Sequence, residues 1–167
     1  MIILETPRLI LRHVVDTDAA FVLDLLNQPS FIKYIADRGV RTLDQARDYI
    51  ATRFTKSYED HGLGLYMVEL KEDGTPVGLS GLVNRDTLPN PDIGFAFLPQ
   101  FWSKGYAFES AEAVRNYARD TLGIKRLLAI TSQDNESSGR LLEKIGLRFD
   151  ELIVQGDEEL KLFSIDL

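Results

Sequence analysis

The chain has 167 residues, 44% hydrophobic and 27% charged, with no cysteine and a formal net charge of −7. That length fits one domain over residues 1–167, enough to bury roughly 70% of the unfolded chain's surface. The missing cysteines exclude disulfides, thiolate nucleophiles and cysteine zinc sites. The acidic balance disfavours nucleic acid, and no apolar run nears the ~18 residues of a membrane span or follows a signal-peptide plan, so the expected setting is cytoplasmic.

The β-rich run RLILRHVV (8–15) predicts a first strand. A helix follows, capped by Asp16 or Thr17, with Val22, Leu25 and Leu26 on its apolar side. Pro29 and Gly39 break the next stretch, 29–41, into a loop or short turn. From Thr42, a plausible cap, Leu43, Ala46, Ile50 and Phe54 recur at helical spacing. Two strands, LGLYMVELK and TPVGLSGLVN, flank Asp73-Gly74, a strong hairpin signal. In PDIGFAFLP the residues Ile93, Phe95 and Phe97 alternate on one face, and Gly94 marks a bulge or a close approach.

A helix then carries Ala107, Ala111, Val114, Ala118 and Leu122 on one side and stops at Gly123. RLLAITSQ reads as a buried strand, and Asn135 to Gly146 as a short capped helix. The last two strands close around Gly156-Asp157, and their charges Glu158, Glu159 and Lys161 suit a protected sheet edge. The element order is β-α-α-β-β-β-α-β-α-β-β. The hairpins demand antiparallel pairing, and the unit from about 92 to 132 demands one parallel crossover. The expected fold is therefore a mixed, mostly antiparallel α/β (α+β) sheet of about seven strands with helices on both faces.

Few residues are left for chemistry. His13 and His61 have no second ligand at metal spacing, so no metal is expected. No Walker loop or nucleophile elbow is present, and Gly78-Leu-Ser-Gly81 lies inside a strand. The stretch QFWSKGYAFESAEA (100–113) joins a strand end to a helix start. Unpaired N–H groups and the dipole at that end favour an anion; Gly105 admits a close approach and Lys104 adds charge. A plain connecting turn fits those residues equally well, and a plain amphipathic helix accounts for NESSGRLLEKIGL (135–147).

Taken together, ETPRLILR (5–12), DIGFAFLPQFWSKGYAFESA (92–111) and DNESSGRLLEKIGLRF (134–149) resemble the GNAT superfamily of acyl-CoA-dependent N-acyltransferases. Within it they resemble the ribosomal-protein N-terminal (alanine/serine) acetyltransferase-like branch. The resemblance spans nearly the whole chain, although 29–85 matches only in element order. The family's phosphate turn, Q/R-x-x-G-x-G/A, falls on Trp102 to Ala107. Trp102 replaces the usual Gln or Arg, and Ser103 stands where the branch often has Gly.

The resemblance implies acetyl-CoA as cosubstrate, lying between two parallel strands that splay apart. Backbone groups of Phe97 and Leu98 would pair with the pantetheine arm, N–H groups of Ser103, Lys104, Gly105, Tyr106 and Ala107 would hold the pyrophosphate, and Asn135 would bond the pantetheine. A neutral primary amine, on a protein N-terminus or a small molecule, would attack the thioester directly through a tetrahedral intermediate. The position of the family's tyrosine acid is Leu142 here; in this branch Ser138 would serve the thiolate instead. Asp92 is the candidate base, with Asp86 as competitor and Glu109 as a helix-orienting acid. Phe31, Ile32 and Tyr34 are candidate acceptor walls. The acidic surface suits cationic acceptors. The alternative is a non-catalytic acyl-CoA-binding or regulatory module, and the chain is expected as a monomer or homodimer.

Overall fold

A computed structural model describes residues Met1–Leu167. The strands are β1 (Ile2–Glu5), β2 (Leu9–His13), β3 (Leu65–Leu70), β4 (Pro76–Val83), β5 (Asp92–Phe97), β6 (Arg126–Ser132), β7 (Arg148–Gln155) and β8 (Glu158–Asp166). The helices are α1 (Ala19–Leu26), α2 (Pro29–Tyr34), α3 (Leu43–Tyr49), α4 (Lys56–His61), α5 (Tyr106–Asp120) and α6 (Glu136–Lys144). The eight strands form one sheet in the order β1-β2-β3-β4-β5-β6-β8-β7, antiparallel except for β5 and β6. No helix is long and apolar enough to cross a membrane.

The sheet has eight strands rather than about seven, because the first turn of chain forms β1 and pairs with β2. Residues 29–34, expected as loop, form α2: Pro29 takes the helix's first turn, where its missing N–H costs nothing. Neither Asp16 nor Thr17 caps α1. Asp16–Asp18 makes a 3₁₀ turn, and the Asp18 carboxylate accepts from the Val15 N–H and pairs with Arg12 at 2.9 Å. Thr42 does cap α3, in a reciprocal box with Gln45. The helix it opens passes through a π-helical segment, Ile50–Thr55, before α4. Leu43, counted on its apolar side, faces solvent.

Of the bulge or close approach expected at Gly94, the bulge is absent: β4 and β5 pair in regular register from Gly78–Phe97 to Val83–Asp92. The C-terminal edge also differs. β8 lies between β6 and β7, so β7 is the edge and Glu158, Glu159 and Lys161 sit on an interior strand. The β7–β8 hairpin folds back, allowing β8 to complete the ladder to β6 over all seven β6 residues.

Both sheet faces are covered. One core, with Leu9, Tyr66, Ile93, Val114, Leu127 and Ile145, packs beneath α5 and α6. The other, with Val22, Leu25, Ile50, Met67 and Leu79, packs beneath α1 to α4. Between the two halves of the sheet lies the feature that positions the site. β5 and β6 pair through a single residue pair, Asp92 and Leu128, beside which the Leu128 N–H donates to the Pro91 carbonyl at 3.0 Å. Beyond that point the strands part.

Candidate active site

The gap between β5 and β6 opens into a cavity of about 340 Å³. Its wall brings together five of the expected catalytic, cofactor and acceptor residues: Phe31, Tyr34, Asp92, Asn135 and Ser138. Phe97, Leu98 and the turn from Ser103 to Ala107 stand outside the wall. Ile32 faces solvent and lines nothing, and Asp86 is exposed on its turn.

Asp92 is not a solvated strand-start acid. It is 1% exposed, and the Arg85 Nε–H donates to both its oxygens, at 3.0 and 3.2 Å. Burial pushes its carboxyl up to about 6, against the opposing pull of Arg85. Such a group is a carboxylate at neutral pH yet basic enough to take a proton.

Ser138 lies in the first turn of α6. Its N–H donates to the Asn135 side-chain oxygen at 3.3 Å, so Asn135 is the helix N-cap. That bond uses the amide oxygen and leaves the amide nitrogen without a partner in the chain. Leu142, where the family carries tyrosine, is 1% exposed and lines the cavity without a polar group.

At the C-terminal end of β5 the backbone is divided between two partners. The Leu98 N–H donates to the Val77 carbonyl and the Leu98 carbonyl accepts from the Phe101 N–H, both at 3.0 Å. Leu98 therefore has no backbone group left in the gap. By strand alternation, Phe95 and Phe97 direct theirs away from β4, towards β6. The Trp102 indole N–H donates to the Phe97 carbonyl at 2.9 Å, tying the turn back onto β5.

The turn itself has an anion-binding shape. Ser103 and Gly105 both adopt left-handed backbone, with φ of 62° and 82°. No side chain caps α5, so its first N–H groups have no partner from this chain. Glu109, one turn into α5, orients the whole turn. It accepts from the Thr6 hydroxyl, from the Arg8 backbone N–H at 3.0 Å and from the Arg8 Nε–H at 2.7 Å. Burial opposes its ionisation, but those hydrogen bonds together hold it below the usual carboxylate range. Arg8 also donates to the Lys104 carbonyl at 3.0 Å and stacks over the Tyr106 ring. The TPRL segment near the start of the chain is thus a brace for the turn a hundred residues later.

Sequence reading missed several wall residues. Thr131 and Ser132 on β6 carry buried hydroxyls with no hydrogen-bond partner, and both line the cavity. Such orphans cost free energy unless a ligand satisfies them. Tyr49, just before the π-helical segment, and Phe54, within it, also line the cavity. Arg85 was readable only indirectly: an acid inside an apolar strand needs a nearby cation. The histidines hold no site. His13 stacks on Tyr58 at 3.9 Å, and His61 meets the Asn84 side chain at 3.2 Å.

The uncapped α5 turn offers free N–H donors for an anion, and the orphan hydroxyls of β6 offer partners for an amide-bearing ligand, a donor set that fits an acyl-CoA. Residues 8–148 match the family described as acetyltransferase (GNAT) domain, and the chain belongs to that family. It is 30% identical over 155 residues to the uncharacterized N-acetyltransferase YoaA of Bacillus subtilis, covering 92% of this chain and 86% of the relative. An acetyltransferase structure from Agrobacterium tumefaciens superposes with a TM-score of 0.84 at 25% identity, covering 98% of this chain and 94% of that one. The ribosomal L7/L12 α-N-protein acetyltransferase RimL, solved with coenzyme A, shares the fold at a TM-score of 0.87 and 13% identity, covering 100% and 98% of the two chains.

Proposed function

We propose that residues 1–167 form one N-acetyltransferase domain that moves an acetyl group from acetyl-CoA to a primary amine by direct attack. The observation that carries this reading is the cavity at the β5–β6 parting, lined by both a buried carboxylate, Asp92, and a helix-start serine, Ser138. Acetyl-CoA would supply a thioester already activated for acyl transfer, so the chain needs no nucleophile of its own. The backbone N–H groups from Ser103 to Ala107 hold the phosphates, and the gap-facing backbone of Phe95 together with the Phe97 N–H holds the pantetheine. Leu98 is dropped from that role, since both its backbone groups are used within the chain.

An amine arrives mostly protonated near neutral pH, because primary amines have pKa values of about 8 to 10. Asp92 takes its proton, directly or through one water, and Arg85 keeps the carboxylate oriented. Ser138 donates a hydrogen bond to the departing sulfur. Phe31 and Tyr34 wall the acceptor side.

Thiol release from acetyl-CoA across a broad amine and N-terminal-peptide panel tests the reading. Turnover with at least one acceptor is expected, and Ser138→Ala should lower kcat while leaving acetyl-CoA affinity nearly unchanged. Tight acetyl-CoA binding without turnover on any acceptor supports instead the non-catalytic acyl-CoA-binding or regulatory module. Absence of any binding removes both.

A further inference from the structure

The cavity wall is balanced in charge, whereas the chain as a whole is acidic. The whole chain carries −7, yet the wall presents four charged residues: Arg38, Arg85, Asp92 and Glu158. Arg85 and Asp92 neutralise each other at 3.0 Å. Glu158 belongs to the β7–β8 hairpin and is exposed. Arg38, likewise exposed, stands on the helix side, in the loop after α2, and has no ion pair or hydrogen bond within the chain.

That loop is built to display Arg38. Asp37, its neighbour, is consumed by a two-pronged pair with Arg41 at 2.7 and 2.9 Å and also accepts from the Gly39 N–H. Asn27 at the end of α1 donates to the Val40 carbonyl at 2.8 Å and accepts from Arg41 at 2.9 Å. Every other charge in the loop is spent on fixing its shape. Cations also lie against the aromatic wall: Lys33 over the Tyr34 ring at 4.9 Å and Arg53 over the Tyr49 ring at 5.6 Å. Both tyrosines line the cavity. The acceptor side is therefore apolar and aromatic, with Arg38 as the one unpaired cation on its wall.

We propose that the acceptor is a small amine carrying an apolar body and a carboxylate, an amino-acid-like molecule whose carboxylate is held by Arg38 while its amine reaches Asp92. This rests on the acetyltransferase reading above. A guanidinium matches a carboxylate with two parallel hydrogen bonds, which an ammonium does not. A polycationic amine would meet like charge at Arg38. A cavity of about 340 Å³ holds an amino-acid-sized body at the small end of ligand sites.

Calorimetric titration of the CoA-saturated protein with two matched probes, phenylalanine and phenethylamine, isolates the carboxylate. Phenylalanine should bind about tenfold tighter or better, as a charge-assisted pair gives. Arg38→Gln should erase that preference while leaving phenethylamine affinity unchanged, and Arg38→Lys should restore part of it. Thiol release should rank phenylalanine above phenethylamine, with spermidine slowest. Equal or reversed binding of the two probes overturns the proposal, as does an Arg38→Gln effect that is the same on both, or no binding of either. A melting measurement with acetyl-CoA alone reads the underlying acetyltransferase assignment separately. Failure there sinks that assignment, whereas failure of the probe pair with normal acetyl-CoA stabilisation sinks only the acceptor class.

Discussion

At the scale of single residues, Asp92 and Ser103 each hold an unfavourable state that the rest of the site explains. Asp92 binds its proton more tightly folded than unfolded, with its pKa raised from 3.8 to about 6 by burial. Between those values the native state carries more protons, so this group's contribution to stability falls as pH rises from about 4 to about 6. Asp92→Asn should therefore flatten the pH dependence of melting in that window. The same carboxylate must be ionised to accept a proton, so kcat/KM should fall roughly tenfold per pH unit below about 6. A wild-type rate that stays level from pH 7 to 5 would remove Asp92 from the base role. Ser103 sits at φ 62°, a left-handed conformation that costs an L-residue on the order of 1 kcal/mol. Ser103→Gly should leave the melting temperature unchanged or raise it slightly and retain acetyl-CoA affinity, because the backbone supplies the phosphate contacts. Gly105→Glu should abolish binding. An added Cβ there lies 3.2 Å from the Arg8 guanidinium, and the new carboxylate would repel phosphate.

At the scale of elements, the brace between β2 and α5 has a separable effect. Glu109 fixes Thr6 and Arg8, and Arg8 fixes the Lys104 carbonyl, so the phosphate turn takes its shape from the start of β2. Glu109→Ala should weaken acetyl-CoA binding several-fold through a looser turn, while turnover at saturating acetyl-CoA stays near wild type. A fall in kcat with unchanged acetyl-CoA KM would assign Glu109 to the chemistry instead. Elements with a strong local signal were legible in the sequence. Thr42 with Gln45, Asp73-Gly74 and Asn135 carry their capping or turning chemistry in adjacent residues. α2 was hidden because Pro29 reads as a breaker unless the first turn is known. β1 and the interior place of β8 depend on partners distant in the chain. The site divides in the same way. The turn and α6 were readable as motifs, whereas Arg85, Thr131 and Arg38 matter through where the sheet parts.

At the scale of the molecule, the sheet is two blocks, β1 to β5 and β6 to β8, joined by one residue pair and the α5 crossover. The neighbouring pairs are far more extensive: six residue pairs join β4 to β5 and seven join β6 to β8. The β5–β6 seam is thus the weakest line through the sheet, and backbone groups along it lack the strand partners found elsewhere. A ligand lying in the parting would replace them and couple the two blocks. Acetyl-CoA at about 100 times its Kd should stabilise the fold by about 2.7 kcal/mol. The added protection should be localised. Amides of Phe95, Phe97 and the first turn of α5 should slow in hydrogen exchange, whereas β2 and β3, fully paired already, should change only through global stability. Uniform slowing across all strands would place the ligand somewhere other than the seam. Glu109→Ala should lose protection first at the α5 turn, since the proposed site puts the phosphates at the turn and the arm in the seam.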